Sequence, residues 1–271
     1  MSFLRRLGVL PAPKGVVLDE TTLEQVATLD AGGHHGDVAA SADAVWFSTW
    51  DDRSIARIDP ATRAETQRVE MPEKPLEIAV DERGPVVRCE EGLIVRVDPG
   101  SGALSARAVL PDGANGLVAE QGGVWVYRAA GMDAPYPISL IQLDPATLAT
   151  LREVPVGSSR FGAGVRAGDG VVVALVEDPP GAMAEAVLDI RTGERLPADR
   201  APRKKGIAER DGIRWLGDGD AGFKRVEIAS GRELAKGKAP GPYTGSVVLA
   251  HGALWVCNYR APQRGEPAYM S

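Results

Sequence analysis

One short pattern recurs six times along this chain and restricts its fold more than any other feature. Each copy has a strand ending in an acid at a turn. Further on comes a strand carrying Val-Trp or its equivalent. The acidic turns are Leu18-Asp19-Glu20, Ile58-Asp59-Pro60, Val97-Asp98-Pro99, Leu143-Asp144-Pro145, Leu188-Asp189-Ile190 and Val226-Glu227-Ile228. The second landmark falls at Val45-Trp46, Pro85-Val86, Val124-Trp125, Val171-Val172, Arg214-Trp215 and Leu254-Trp255. From Trp46 to Trp255 the spacing is about 42 residues per step, the period of a four-stranded propeller blade.

The expected fold is therefore all-β: a six-bladed β-propeller of four-stranded blades. The first strand of each blade, A, is expected at 38–40, 78–80, 117–119, 165–167, 207–209 and 247–249. Turn residues such as Gly122-Gly123, Asp169-Gly170 and Asp211-Gly212 follow it and lead into strand B. The acids sit between strands C and D, where Asp bonds backbone N–H groups and a following Pro supplies the turn's φ. Because they repeat, they are read as structural and not catalytic. The Trp positions are read as filler between blades. No C strand or acidic turn follows Trp255, whereas 15–19 reads as strand C and 23–29 as strand D. The closing blade is thus expected to be composite, leaving no open edge. This gives a tail at 1–14, one propeller domain at 15–257 and a second tail at 258–271, a candidate lid.

Composition limits the function. The net charge of −6 argues against non-specific nucleic-acid binding. No apolar run reaches the length of a membrane span. The N-terminal segment interleaves charged and apolar residues, unlike a signal peptide, so a cytoplasmic protein is expected. Cys89 and Cys257 fall in different repeats and are expected to be free thiols, buried or half-buried. Phosphate loops, Cys-x-x-Cys pairs, Gly-x-Ser-x-Gly elbows and His-Glu-x-x-His helices are all absent from the sequence.

The run Ala44-Val45-Trp46-Phe47-Ser48-Thr49, with Ile58-Asp59-Pro60-Ala61-Thr62 after it, is echoed by Gly123-Val124-Trp125-Val126-Tyr127 and Leu143-Asp144-Pro145-Ala146-Thr147. These segments resemble the bacterial propellers grouped with virginiamycin B lyase and the YVTN repeats. The resemblance covers nearly the whole chain. It implies a propeller and, for the lyase itself, metal-dependent elimination with a His base and a metal-holding Glu near the channel mouth. The lyase has seven blades against the six read here, so residue roles do not transfer by register.

Function in such a scaffold is expected on the loops that join strand D to the next A and strand B to C. The residues just before strand A are polar and differ between repeats: His35, Glu77, Asn115, Arg160, Lys205 and Tyr243. His34-His35, flanked by glycines, is the sharpest local feature and a candidate general base or metal ligand. The third histidine, His251, lies in an A–B turn and reads as plain surface. Glu77 is the carboxylate that would sit beside a divalent ion such as magnesium, with His35 as the other ligand. Arg160 with Arg203, Lys204 and Lys205 forms a basic sector suited to an anionic small molecule. Trp50, Tyr127, Phe161, Tyr243 and Tyr259 would wall the pocket. The B–C loops are acidic at Asp51-Asp52, Glu90-Glu91, Glu177-Asp178 and Asp218 with Asp220. Two functions follow as expectations. One is a lyase or cyclase with His35 or His34 as base and Glu77 as acid or metal partner. The other is a non-catalytic module that binds a ligand or protein through the same face.

Overall fold

The structure, a computed structural model, describes residues 15–29, 35–110, 114–120, 122–131, 134–160, 164–201, 207–218, 222–239 and 244–258. At 35, 244, 245 and 258 it describes the backbone alone. The described strands are, in chain order, β1 (Gly15–Asp19), β2 (Gln25–Leu29), β3 (His35–Ala40), β4 (Val45–Thr49), β5 (Ser54–Ile58) and β6 (Glu65–Glu70). They continue with β7 (Pro75–Asp81), β8 (Gly84–Cys89), β9 (Leu93–Val97), β10 (Leu104–Val109), β11 (Gly116–Glu120) and β12 (Gly123–Ala129). Next come β13 (Tyr136–Leu143), β14 (Thr150–Ser159), β15 (Val165–Gly168), β16 (Val171–Glu177), β17 (Met183–Asp189) and β18 (Arg195–Leu196). The last are β19 (Ala208–Arg210), β20 (Ile213–Gly217), β21 (Gly222–Glu227), β22 (Glu233–Lys238), β23 (Thr244–Ala250) and β24 (Ala253–Asn258). The other described elements are two short 3-10 turns, Glu90–Gly92 and Ala198–Arg200. No helix among the described residues is long and apolar enough to cross a membrane.

Contacts divide the chain into two compact units, Met1–Leu76 with Lys204–Ser271, and Glu77–Arg203. The first contains three antiparallel sheets, ordered β3-β4-β5-β6, β19-β20-β21-β22 and β2-β1-β24-β23. The last of these joins the two ends of the chain, with Val17 opposite Trp255. Side chains alternate across this mixed sheet, as the pleat requires. Val17, Trp255 and Cys257 pack with Val45, Phe47, Ala56 and Ile58. Their neighbours Val16, Leu18, Leu254 and Val256 pack on the other side with Trp215 and Phe223. The mixed sheet is therefore buried between the other two. Each Val or Leu buried in this way contributes about 1.5–3 kcal/mol.

The second unit holds the sheet β10-β9-β8-β7 and an eight-stranded sheet. In the latter, β11 to β14 and β15 to β18 form two halves, joined between β14 and β16 by the pairing of Ser158 with Glu177. The same alternation operates in β12. Val124 and Val126 pack with Val86, Ile94 and Ile141, whereas Trp125 and Tyr127 pack with Ile138, Leu140 and Val176. A bidentate ion pair between Arg96 and Asp81, 2.8 Å at each oxygen, is almost wholly buried beside these strands. The tryptophans of the repeat are buried as expected, with 0–3% exposure for Trp46, Trp125, Trp215 and Trp255. Two of them also bond to turns, one across the halves of the eight-stranded sheet and one between two sheets. Trp125 Nε1 donates to the Ile190 carbonyl and Trp215 Nε1 to the Glu20 carbonyl, each at 2.8 Å. The receiving residue in both cases directly follows a turn acid. Cys89 and Cys257 are free and buried, and burial pushes the Cys257 thiol well above its ordinary range.

All six acidic turns share one geometry. The acid's N–H donates to the carbonyl five residues on, and its own carbonyl accepts from the N–H four residues on, all at 2.8–2.9 Å. The residue at that fourth place has positive φ: Leu23, Arg63, Gly102, Leu148, Gly193 and Gly231, between 60° and 74°. This corrects one expected boundary. The strand expected from Leu23 begins at Gln25, because Leu23 closes the turn in the left-handed region. Leu23 and Leu148 bury their side chains in return, at 2% and 0% exposure. Arg63 is exposed, and its guanidinium donates from Nη1 to the Val26 carbonyl at 3.1 Å.

The acid side chains bind the turn from within. Asp19, Asp59, Asp144 and Asp189 each accept backbone N–H groups two and three residues on, at 2.8–3.0 Å. The bond from the residue three on is the main cause holding these four carboxyls below their ordinary values. For Asp98 and Glu227 the leading cause is a hydroxyl, that of Ser101 and Ser230. A carboxyl with a lowered folded-state pKa stabilises the fold above its unfolded value, about 4. That contribution disappears as pH falls through the lower folded value.

Two outcomes follow. Thermal melting from pH 6 to pH 2 loses stability mainly below about pH 4. Asp59→Asn with Asp144→Asn, which keeps an acceptor but removes its titration, flattens that loss. Arg63→Gly removes left-handed strain of about 1–2 kcal/mol together with an exposed hydrogen bond to the Val26 carbonyl, and raises stability by about 0.5 kcal/mol, read from urea midpoints.

Candidate functional site

The described candidates lie in both units, and each group is built by its own strands. In the second unit Glu77 lies on β7. Its Oε2 accepts from Arg88 Nε on β8 at 2.9 Å. Arg88 Nη1 donates to the Ala114 carbonyl at 2.9 Å, just before β11. The next residue, Asn115, donates its N–H to the Tyr127 carbonyl and accepts from the Ala129 N–H at Oδ1, both at 2.8 Å. Two expected site residues, Glu77 and Asn115, are thus brought to one place by Arg88, which the sequence reading did not single out. The Arg88 side chain is only 10% exposed. A guanidinium this deeply placed requires a carboxylate partner, and Glu77 supplies it.

Tyr127 departs from expectation. The sequence reading places it in a B–C loop bordering a pocket. Strand β12 instead runs on to Ala129, and Tyr127 is fully buried in the core beside Trp125 and Ile138. Its ring is packing surface, because its position in the alternation points the same way as Trp125.

Arg160 follows β14 directly. Its backbone N–H donates to Glu177 Oε1 at 2.6 Å, and the Gly181 N–H donates to Oε2 at 3.0 Å. The Glu177 side chain is 4% exposed, whereas that of Arg160 is 59% exposed, with Nε 3.9 Å from Oε2. The Arg160 N–H first, then that of Gly181, holds the Glu177 carboxyl below its ordinary value. Glu177, read from sequence as an acidic surface loop, is therefore a clamp. It ties the end of β14 to the turn after β16 and leaves the Arg160 guanidinium facing solvent.

In the first unit Trp50 follows β4, half-buried, with Lys74 Nζ 4.9 Å from its ring centroid. Gly36 lies so close that a Cβ there would fall 1.9 Å from Trp50 Nε1 and 2.6 Å from Ser48 Oγ. Ser48 Oγ accepts from the Asp37 N–H at 2.7 Å. The His35 backbone opens β3 opposite Thr49, at the Trp50 end of the sheet. The His35 side chain lies outside the described residues, as do His34, Phe161, Arg203, Lys204, Lys205, Tyr243 and Tyr259. His251 is exposed in the β23–β24 turn with φ 51°, its Nε2 2.9 Å from the Ser41 carbonyl. Asp218, from another acidic loop, accepts from Lys224 at Oδ1 and lies against Lys236 at Oδ2, both at 2.7 Å. Lys224 first, then Lys236, lowers its pKa to about 2.

Among the described residues, no group of three His, Cys, Asp or Glu side chains is placed to hold a metal ion. Glu77 as it stands is the acceptor of a guanidinium, so its known chemistry here is ion pairing.

Glu177→Gln places an amide N–H against one of two backbone N–H donors. Faster amide exchange at Arg160 and Gly181, with little change elsewhere, is the expected result by hydrogen-exchange mass spectrometry.

No family model and no curated protein matches this sequence. Solved structures do match it. The WD40 domain of Neurospora crassa Pan2 aligns with TM-score 0.55 and 9% identity, over 90% of this chain and 83% of that one. BamB from Moraxella catarrhalis aligns with TM-score 0.50 and 13% identity, over 91% and 92%. The computationally designed Ika8 protein aligns with TM-score 0.52 and 16% identity, over 88% and 74%. At such identities the likeness speaks for architecture alone, and that architecture is the β-propeller.

Proposed function

We propose that this chain is a six-bladed β-propeller, closed by the mixed sheet of β1, β2, β23 and β24, that binds an anionic ligand without transforming it. In this reading the eight-stranded sheet is two blades, bridged at Ser158 and Glu177. The ligand is held on the face formed by the D–A and B–C loops. Arg160, whose guanidinium stands largely in solvent, supplies positive charge there.

The observation that carries this reading is the pairing of Glu77 with Arg88 at 2.9 Å. A metal-assisted lyase of the kind suggested by the virginiamycin B lyase resemblance needs that carboxylate free for an ion or a proton. Here it neutralises a buried guanidinium, and releasing it would leave that charge unpaired. Asn115 and Glu177 likewise spend their acceptors on backbone N–H groups that hold loop ends. Such groups support a rigid display of varied loops, which suits recognition.

The test is thermal melting with EDTA, with magnesium, calcium, manganese or zinc, and with a panel of phosphorylated and carboxylated metabolites. The expected outcome is no shift with any ion and a rise with at least one anion. A ligand at 100 times its Kd adds about 2.7 kcal/mol, and Arg160→Ala reduces the rise. A reversible rise with one divalent ion, lost in both His35→Ala and Glu77→Gln, would overturn this reading in favour of the lyase.

A further inference from the structure

The chain is acidic overall at −6, yet residues 200–238 carry eleven Lys and Arg against six Asp and Glu. Much of this excess is built into the sheet β19-β20-β21-β22. Lys224 on β21 and Lys236 on β22 are cross-strand partners. Two like charges directly opposite one another are unfavourable, and the structure meets this with one carboxylate. Asp218 takes both ammonium groups at 2.7 Å, one on each oxygen. Two positive charges thus share one carboxylate at ion-pair distance, with Glu233 on β22 a weaker negative charge near Lys236. Lys238 lies two residues beyond Lys236, on the same face by the pleat. It is exposed, and its cross-strand partner is Gly222, which brings no side chain.

Among the described residues, strand β22 is also an edge of its sheet. Every second N–H and carbonyl along an edge strand points away from its partner and is free to pair with another strand. The opposite face of β22 is occupied: a Cβ at Gly237 would fall 2.2 Å from the Leu23 carbonyl oxygen. The side that remains combines an open backbone edge with Lys236 at 62% exposure and Lys238 two residues on.

We infer that β22 is a docking edge for an extended acidic segment of a protein partner, which adds as a further strand and sets alternate carboxylates against Lys236 and Lys238. Backbone pairing supplies the geometry, and residues at i and i+2 of the incoming strand supply the match. The lysines repel or fail to reward strands without acids, so the edge is selective as well as available. An extended strand satisfies both features at once, which a free anion does not. This inference does not depend on the loop-face reading above, since β22 and its lysines are not part of that site.

The experiment uses the full chain and three fluorescein-labelled peptides: Glu-Thr-Glu-Thr-Glu-Thr, its Lys-for-Glu counterpart, and Glu-Thr-Glu-Pro-Glu-Thr. Anisotropy titrations are run at low and at physiological salt. The first peptide is expected to bind and the Lys peptide not to. The Pro peptide should bind about tenfold more weakly, because it lacks a ladder donor. Lys236→Glu with Lys238→Glu should weaken binding at least tenfold at an unchanged melting temperature. Asp218→Asn should tighten it several-fold by releasing two ammonium groups, a gain that a merely structural lysine pair would not produce. Equal binding of the Pro peptide would overturn strand addition. Binding unaffected by the charge reversals, or no binding of the first peptide at low salt, would overturn the site. Failure of the loop-face reading would leave all these outcomes unchanged.

Discussion

A carboxylate folded into its own turn, accepting two backbone N–H groups in four of the six acidic turns, is the interaction on which the rest of this architecture depends. At each acidic turn the chain reverses within six residues and re-enters the sheet in register. Without the side-chain acceptor, those inward N–H groups would have no partner inside the turn. The turn also sets the residues around it. It demands positive φ at its fifth residue, which explains both the glycines there and the buried leucines that tolerate the strain. It further presents the carbonyl after the acid, which accepts from a tryptophan of the other half of the same sheet in one case and of another sheet in a second. One local motif thus fixes a reversal, a register and a contact between sheets.

The packing between sheets follows from a period of two. In β12 and β24 alternate residues serve different clusters, so each strand contributes to two cores at once. This is why such strands read as nearly continuous apolar runs and not as alternating ones, and why the outer strand β6, covered less, reads as polar. It also explains how the chain ends are held. Strand β1 is fully buried over its first four residues because β24 and two flanking clusters enclose it.

What the sequence made legible was what repeats. The acid turns, the buried tryptophans, the free cysteines and the pairing of N- and C-terminal strands each leave a periodic or terminal signature. What stayed hidden was what occurs once. Arg88 reaches Glu77 across eleven residues and Ala114 across 26, and no spacing rule marks such a triad. Glu177 looked like any surface acid because its partners are backbone N–H groups, which have no letter in a sequence. Tyr127 was misjudged for a related reason. Backbone pairing, which no letter records, carries β12 past it, as it carries β4 past Ser48 and β8 past Arg88 at the same place, so a residue counted into a loop belongs to the core.

The same distinction bears on function. A residue that differs between repeats invites a functional reading, yet Glu77, Asn115 and Glu177 differ because each repeat ends its loops with its own local solution. Variation on a rigid scaffold is therefore not by itself a binding site. The stronger signal is a charge that local structure does not consume. Arg160 has its backbone fixed and its guanidinium largely in solvent. Lys238 stands exposed on an edge strand opposite Gly222, beside Lys236, which has only half of a carboxylate shared with Lys224. In an acidic protein such residual positive charge is costly to concentrate, and it is placed where a negatively charged partner gains most from it.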